Sequence, residues 1–320
     1  MLERIKRKVL FSRGFRNLIA WSRAIVLPGF AGFDIYAISR FYFKALLEGH
    51  ILTRASAIAF QVFAAFFPAV IVLLTLIPYI PIPDLQNDLL LSFREMLPVE
   101  VYSFMEGTLE DLVVRKHGTL LSVSFLVGVF LASNSVNAIL LGFSGSSNLT
   151  TWHSPVKQRL LSLGLLFSLS ILLVVAIPLM TVSSSILDAL KAHDLIQDGL
   201  ESFGLVAAQW IISVFMILLS ISLLYHAGDP SATRFRLFTP GALLTVLLIV
   251  LLSQVLAFVF SNFTNYNALY GSIGAILAVQ VWIYMNMIAV LLGYELNISV
   301  SRARYDRHLH LRTERSSGRN

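Results

Sequence analysis

The sequence predicts an all-α protein: a polytopic membrane helical bundle with six transmembrane helices, amphipathic N-terminal interfacial helices and a helical extracytoplasmic hairpin. Two observations predict this class. Of the 320 residues, 57% are hydrophobic and only 13% are charged, and a water-soluble globule of that composition would expose large apolar patches. The apolar residues are also concentrated in six long, nearly uncharged stretches that lack the alternation of barrel strands.

The chain begins with a basic arm, residues 1–50, in which Lys and Arg are mixed with Leu, Ile, Phe and Trp21. This composition is typical of helices that lie in the lipid headgroup region. The arm is too long and too polar for a signal peptide, and the first apolar run leads into further spans, so we expect no cleavage. We expect a transmembrane domain over residues 51–300 and a basic cytoplasmic tail over residues 301–320, with a disordered end.

Six apolar stretches reach the length of about 20 residues that an α-helix needs to cross a bilayer. They lie near Ala55–Pro81, Gly118–Phe143, Leu160–Ile186, Phe203–Ala227, Leu237–Asn262 and Ser272–Ser299. Nearly all of the 24 Lys and Arg residues fall on one side of these spans, and the exceptions are Arg94, Arg115, Lys116 and Lys191. Because cytoplasmic connections carry the excess of basic residues, this asymmetry predicts a multi-pass protein with cytoplasmic N- and C-termini.

Acidic residues collect in the two connections on the opposite side, after the first and third spans. In the first of these connections, Asp84 can cap a helix with one apolar face, and Pro98 can open a second amphipathic helix. We therefore predict a helical hairpin that caps the bundle. A vestibule that gathers substrate is the alternative interpretation of this segment.

Polar side chains inside the spans are the candidate cavity-lining or coupling residues, because hydrocarbon penalises each polar group that is neither paired nor hydrated. Hydrogen bonding between helices is the alternative role for such side chains. The six candidates are Gln61, Asn134, Asn137, Gln254, Asn286 and Glu295.

Glu295 is the only carboxylate that the sequence places within a predicted span, about one turn from the cytoplasmic end. It could couple transport to protons. The position near the interface favours instead an ion pair with Arg54, Arg159 or Arg302, since a driven proton antiporter would usually place a carboxylate nearer the midplane.

The sequence contains no recognisable catalytic signature, because P-loop, HExxH, GxSxG and GxGxxG motifs are all absent. The chain also has no Cys, which excludes disulfides, thiolate catalysis and Cys-based metal sites. We expect no enzymatic activity, no catalytic residue, no metal and no cofactor. The basic residues that give the chain its net charge of +6 lie next to the predicted spans. We therefore expect membrane lipids with anionic headgroups, and no nucleic acid, as partners at the cytoplasmic face.

A set of short motifs runs through residues 40–300. It comprises Thr53–Phe60 running to Phe66-Phe67-Pro68, Tyr225 followed by Asp229-Pro230, Thr239-Pro240-Gly241-Ala242, Tyr266 with Leu269–Ala275, and Trp282-Ile283-Tyr284 leading to Leu292–Asn297. Together these segments resemble the YihY/virulence factor BrkB family of bacterial inner-membrane proteins. Members of that family usually read Gly-Ala-Glu-Leu-Asn where this chain has Gly293-Tyr294-Glu295.

The resemblance implies a six-span fold in the bacterial plasma (inner) membrane. Members were formerly labelled ribonuclease BN, some carry a virulence label, and a transport role is often suspected. The resemblance implies that Gly271 permits a tight entry into the sixth helix, and that Glu295 and Asn297 tie its end to a neighbour. The motif residues carried over are Pro68, Asp229, Pro230, Gly241, Tyr270, Gly271, Trp282, Gly293, Glu295 and Asn297.

Together these features favour a transporter, exporter or lipid-handling protein, because six spans and polar groups at membrane depth occur without a catalytic site. The alternative, from a different class, is a non-transporting envelope scaffold or interaction protein that uses the acidic outer hairpin and the basic inner arm. A homo-oligomer is compatible with either function. No motif specifies the substrate, the direction of movement or a coupling ion.

Overall fold

The computed structural model describes residues 35–80, 84–96, 99–149, 151–192, 200–262 and 264–317. Residues 1–34 of the arm 1–50, over which interfacial helices are expected, and the end of the tail, residues 318–320, lie outside these ranges. The described residues form two compact units. Those of the first unit fall within Met1–Ala55, Leu140–Ser253 and Ile288–Asn320, and those of the second within Ser56–Ile139 and Gln254–Met287.

Every regular element in the described ranges is helical, which confirms the all-α prediction. A single 3-10 turn, Ile77–Tyr79, follows the second helix. The α-helices are α1 (Ile35–Glu48), α2 (Ile51–Leu76), α3 (Leu85–Met96), α4 (Val99–Val114), α5 (Gly118–Ser144), α6 (Pro155–Ala192), α7 (Leu200–Gly228), α8 (Pro240–Asn262) and α9 (Thr264–Ser317).

Six of these helices contain a stretch long and apolar enough to cross a membrane, as the sequence predicts. Large apolar side chains along them point away from the protein, and Phe167 and Phe258 are each 70% exposed. Such side chains are stable in lipid, where a helix also satisfies its own backbone polar groups. The six stretches are Ile51–Tyr79, Gly118–Ser144, Pro155–Ala176, Gln209–Gly228, Pro240–Phe258 and Ile276–Ala303.

Helices α3 and α4 confirm the hairpin predicted between the first two spans. Asp84 precedes α3 with a positive φ of 59°, and the Asp88 N–H donates to the Asp84 carbonyl at 2.9 Å to close the first turn. At the end of α4, the Asp111 carboxylate lies 3.3 Å from Arg115 Nη1 and 3.1 Å from His117 Nε2. These contacts hold the short connection that leads into α5.

The last helix, α9, extends beyond the sixth predicted span at both ends. It runs without a break from Thr264 to Ser317, so the tail is helical up to that residue. The expectation that Gly271 provides a tight entry into the sixth helix is wrong, because Gly271 lies inside α9. Hydropathy marks only the apolar part of a helix, and the polar residues between Thr264 and Gly271 hide the true start.

Candidate functional site

A buried ion pair joins α2 to α9 within the first unit. Arg54 Nη2 donates to Glu295 Oε1 at 2.6 Å, and the two side chains are 12% and 0% exposed. Arg54 Nη1 also donates to the Gly142 carbonyl at 2.6 Å. The ion pair predicted for Glu295 is therefore confirmed, with Arg54 as the partner. Charge-assisted bonds of this length are strong, and each buried charge depends on the other.

The connection after α5 engages the second oxygen of Glu295. Ser146 Oγ donates to Glu295 Oε2 at 2.6 Å. Asn148 Nδ2 donates to Ser299 Oγ at 3.2 Å and to the Phe41 carbonyl at 3.3 Å. Because both carboxylate oxygens already accept short hydrogen bonds, the geometry favours an anchoring role for Glu295 over proton coupling.

The pKa of Tyr42, which lies on α1, is affected by burial and by the charge of Glu295 in this cluster. Burial, and to a smaller extent the negative charge of Glu295, raises the pKa of the Tyr42 phenol above its usual value. The Tyr42 hydroxyl therefore stays protonated throughout the physiological pH range.

Three aromatic rings from α5, α7 and α9 pack together in the same unit. Phe143 stacks on Tyr294 with ring centroids 3.9 Å apart, and Tyr225 meets both rings edge-on at 5.8 and 5.7 Å. The Tyr294 hydroxyl donates to the Gly228 carbonyl at 2.5 Å, and the Tyr225 hydroxyl donates to the Val290 carbonyl at 2.7 Å. Each buried tyrosine thus has the hydrogen-bond partner that its burial requires.

Helices α8 and α9 approach closely where two glycines face each other. A Cβ atom on Gly293 would overlap Thr245 Oγ1 and the Gly241 carbonyl oxygen. Asn297 secures the contact, because its Oδ1 accepts the Gly241 N–H at 2.8 Å and its Nδ2 donates to Thr239 Oγ1 at 2.9 Å. The expectation that Asn297 ties the end of the sixth span to a neighbour is confirmed.

A cleft of about 390 Å³ opens beside these contacts in the first unit. Its walls come from the end of α7, the connection over residues 229–239, the start of α8 and one face of α9. The volume lies within the range of small-ligand sites. The lining mixes polar and apolar surface, and its polar side chains include His226, Asp229, Arg234, Arg236 and Ser301.

The six residues predicted from the polarity of the spans do not converge on this cleft. None of them is among its lining residues within the described part of the chain. Glu295 lies in the first unit, and the second unit contains Gln61, Asn134, Asn137, Gln254 and Asn286.

Contacts in the second unit show what some of these polar residues do. Ser135 Oγ donates to the Gln61 backbone carbonyl at 2.7 Å and so joins α5 to α2. Asn286 is buried, and its Nδ2 donates to the Trp282 carbonyl of its own helix at 2.7 Å. Gln254 is exposed. The Ser135 bond joins two helices through the Gln61 backbone, and the Asn286 bond stays within α9, so neither contact shows a candidate side chain bonded between helices.

The family-motif residues divide between the two units. In the first unit, Asp229 and Asn297 line the cleft, and Gly241 and Gly293 form the close helix contact. Pro230 follows Asp229 in the connection after α7, and Glu295 forms the ion pair with Arg54. Pro68 lies inside α2, and Trp282 lies on α9 in the second unit. Tyr270 and Gly271 belong to α9, and their side-chain environment is outside the described set.

Several residues of the site were not singled out by the sequence analysis. Ser146 and Thr245 belong to no motif. Arg234 and Arg236 contribute in the sequence only to the excess of basic residues that predicts the orientation of the spans. One feature of the sequence could have drawn attention to Tyr294: it stands where the Gly-Ala-Glu-Leu-Asn motif usually has Ala. In this chain its ring fills the space against Phe143.

The helices and their exposed apolar surfaces define a polytopic α-helical membrane protein. The chain belongs to the Virulence factor BrkB family, whose pattern it matches over residues 42–317. It is 27% identical over 245 residues to YfkH of Bacillus subtilis (strain 168), a protein whose name calls it ribonuclease-like, and the match covers 77% of this chain and 88% of YfkH.

Longer relatives also match. The chain is 24% identical over 281 residues to a UPF0761 membrane protein of Xanthomonas campestris pv. campestris (strain B100), and the match covers 84% of this chain and 62% of that protein. The chain therefore spans less than two thirds of the length of the Xanthomonas relative. No solved structure matches.

Proposed function

We propose that this protein is a transporter, exporter or lipid-handling protein of the bacterial inner membrane, with both termini in the cytoplasm. The observation that carries this proposal is the cleft of about 390 Å³ with charged side chains in its lining, which lies at the ends of membrane-spanning helices. A cleft that presents polar groups beside apolar spans can bind a hydrophilic solute or a lipid headgroup at the membrane. Membership of a membrane-protein family supports the location.

We also propose that the protein is not a ribonuclease, although the name of the Bacillus relative suggests one. Phosphodiester hydrolysis commonly uses clustered carboxylates that hold divalent metal ions. Asp229 is the only carboxylate among the described residues that line the cleft, and hydroxyl groups of Ser231 and Ser301 approach its two oxygens. This arrangement suits a structural role for Asp229.

Flux through reconstituted liposomes tests the transport proposal. The purified full chain should move at least one member of a panel of ions, solutes and fluorescent phospholipids faster than protein-free liposomes do. Ala232→Trp should slow this movement, because Ala232 lines the cleft and an indole there would occupy part of its volume. The same substitution at Ala57, which is exposed on α2, is the matched control and should leave the rate unchanged. Rates equal to those of empty liposomes across the panel would contradict the proposal.

Orientation can be tested with single cysteines, because the native chain has none. Thr108→Cys on α4 should react with a membrane-impermeant maleimide in spheroplasts, since the hairpin is predicted to lie outside the cytoplasm. Ser147→Cys, in the connection after α5, should react only after the membrane is opened. Both positions are exposed, so the opposite labelling pattern would show that the proposed orientation is wrong.

An envelope scaffold is the second candidate, favoured by apolar side chains that the hairpin exposes. Leu91 and Val114 are 56% and 49% exposed, and an interaction surface could use them. A photo-crosslinker placed at position 91 should capture another membrane protein in native membranes if the scaffold role is correct. Capture of only further copies of this chain would remove the support for that role.

A further inference from the structure

The cleft in the first unit carries positive charge that its own contacts do not use. Arg234 and Arg236 line the cleft from the connection between α7 and α8, and both residues are exposed. Within the part of the chain that the structure describes, neither guanidinium has a carboxylate at salt-bridge distance. Both charges are therefore available to a ligand.

The carboxylate in the lining is already engaged. Asp229 Oδ1 accepts the Ser231 N–H at 2.9 Å and the Ser231 hydroxyl at 2.5 Å, and Oδ2 lies 3.4 Å from Ser301 Oγ. These bonds fold the chain into a turn directly after α7. Asp229 thus shapes the connection, and the two arginines leave the lining with a net positive charge.

Exposed aromatic side chains alternate with the two arginines. Residues 234–238 read Arg-Phe-Arg-Leu-Phe, and Phe235 and Phe238 are 44% and 68% exposed. The Phe235 ring meets His226 edge-on with centroids 5.8 Å apart. The membrane-spanning stretch Pro240–Phe258 begins directly after this segment. Basic and aromatic side chains interleaved at the edge of the hydrocarbon suit simultaneous contact with headgroups and acyl chains.

A phosphate group matches these donors well. A guanidinium presents parallel N–H groups that fit two phosphate oxygens, and two guanidinium groups stand two residues apart at the cleft. Thr233, also exposed in the lining, adds a hydroxyl donor. A site for a small soluble anion would gain nothing from the exposed Phe238, whereas an acyl chain can pack against that ring.

We propose that this cleft binds the phosphate of an anionic phospholipid, with Arg234 and Arg236 as the phosphate ligands. Phe238 then contacts the acyl region of the same lipid. This inference deepens the proposed function by naming its ligand, and it rests on that function only for the membrane location of the cleft.

Native mass spectrometry of the full chain in detergent tests the binding directly. The wild type should retain added phosphatidylglycerol and should not retain diacylglycerol, which lacks the phosphate. Arg234→Gln with Arg236→Gln should weaken phosphatidylglycerol binding roughly 30-fold, since each basic side chain near a membrane surface contributes about a fivefold gain. Both side chains are exposed and lack carboxylate partners among the described residues, so the unfolding temperature should stay near that of the wild type.

The matched control removes two other exposed charges from the same predicted membrane face. Arg40→Gln with Lys157→Gln leaves the cleft lining intact and should retain phosphatidylglycerol as the wild type does. Arg234→Lys with Arg236→Lys should recover only part of the affinity, because an ammonium group lacks the paired donors.

Three results would overturn the inference. These are equal binding by wild type and the Arg234/Arg236 double variant, an equal loss in the Arg40/Lys157 control, and binding of inorganic phosphate as tight as that of the lipid. Failure of the proposed function gives a different result. Lipid binding that depends on both arginines, together with no flux in liposomes, would reject transport and leave the lipid site in place.

Discussion

Glu295→Ala is expected to lower the free energy of unfolding by about 3–5 kcal/mol. The substitution leaves the Arg54 guanidinium, 12% exposed, without its carboxylate partner, and it also removes the acceptor of the Ser146 hydroxyl. A buried charge that loses its partner keeps its desolvation cost and loses the compensating attraction. Thermal unfolding of the purified protein in detergent, followed by tryptophan fluorescence, measures the loss.

An exposed ion pair provides the control for this experiment. Lys44 and Glu48 lie 3.9 Å apart with side chains 61% and 56% exposed, so Glu48→Ala should cost no more than about 0.5 kcal/mol. Replacing both Arg54 and Glu295 by Met should cost less than Glu295→Ala alone, because no unpaired charge remains. A Glu295→Ala protein as stable as Glu48→Ala would mean that the buried pair does not hold α2 to α9.

Gly293→Ala is expected to destabilise the protein by about 3–5 kcal/mol, from overpacking and lost hydrogen bonds. The new methyl group would overlap Thr245 Oγ1 and the backbone oxygen of Gly241, which cannot rotate away as a flexible side chain can. Separation of α8 from α9 would break the bond from the Gly241 N–H to Asn297. The yield of folded protein after detergent extraction and its unfolding temperature should both fall.

Gly164→Ala is the matched control, because a Cβ at Gly164 on α6 meets no atom within 4 Å. In open space the change should be neutral, or stabilising by up to about 1 kcal/mol through helix propensity. Comparable behaviour of the Gly164→Ala and Gly293→Ala proteins would contradict the close approach of α8 and α9.

The six spans could be predicted from sequence because membrane insertion selects for a local property, a long run of apolar residues, that needs no knowledge of the partner helices. The ion pair of Glu295 could be predicted only in part. Three arginines, Arg54, Arg159 and Arg302, were reasonable partners, and the choice depends on packing between residues 241 positions apart. Local hydropathy contains no such information.

The cleft could be predicted only in part, because the motif residues Asp229 and Asn297 line it, whereas the polar residues singled out at membrane depth do not. Gln61, Asn134 and Asn137 stand out only because apolar residues surround them in sequence. Arg234, Arg236 and Asp229 lie in a short polar connection, where charged residues are ordinary and the positive-inside rule already accounts for them. Only the three-dimensional contact of this connection with α7 and α9 distinguishes it from the other connections.

The separation of Arg54 from Glu295 also has a consequence for biosynthesis. Arg54 enters the membrane with the first span, whereas its partner is synthesised 241 residues later. At the usual rate of translation, roughly 10 to 50 seconds pass between the two events. During that interval Glu295 has not yet been synthesised, so the Arg54 guanidinium lacks its partner. A nascent chain released early would therefore keep an uncompensated charge at the bilayer.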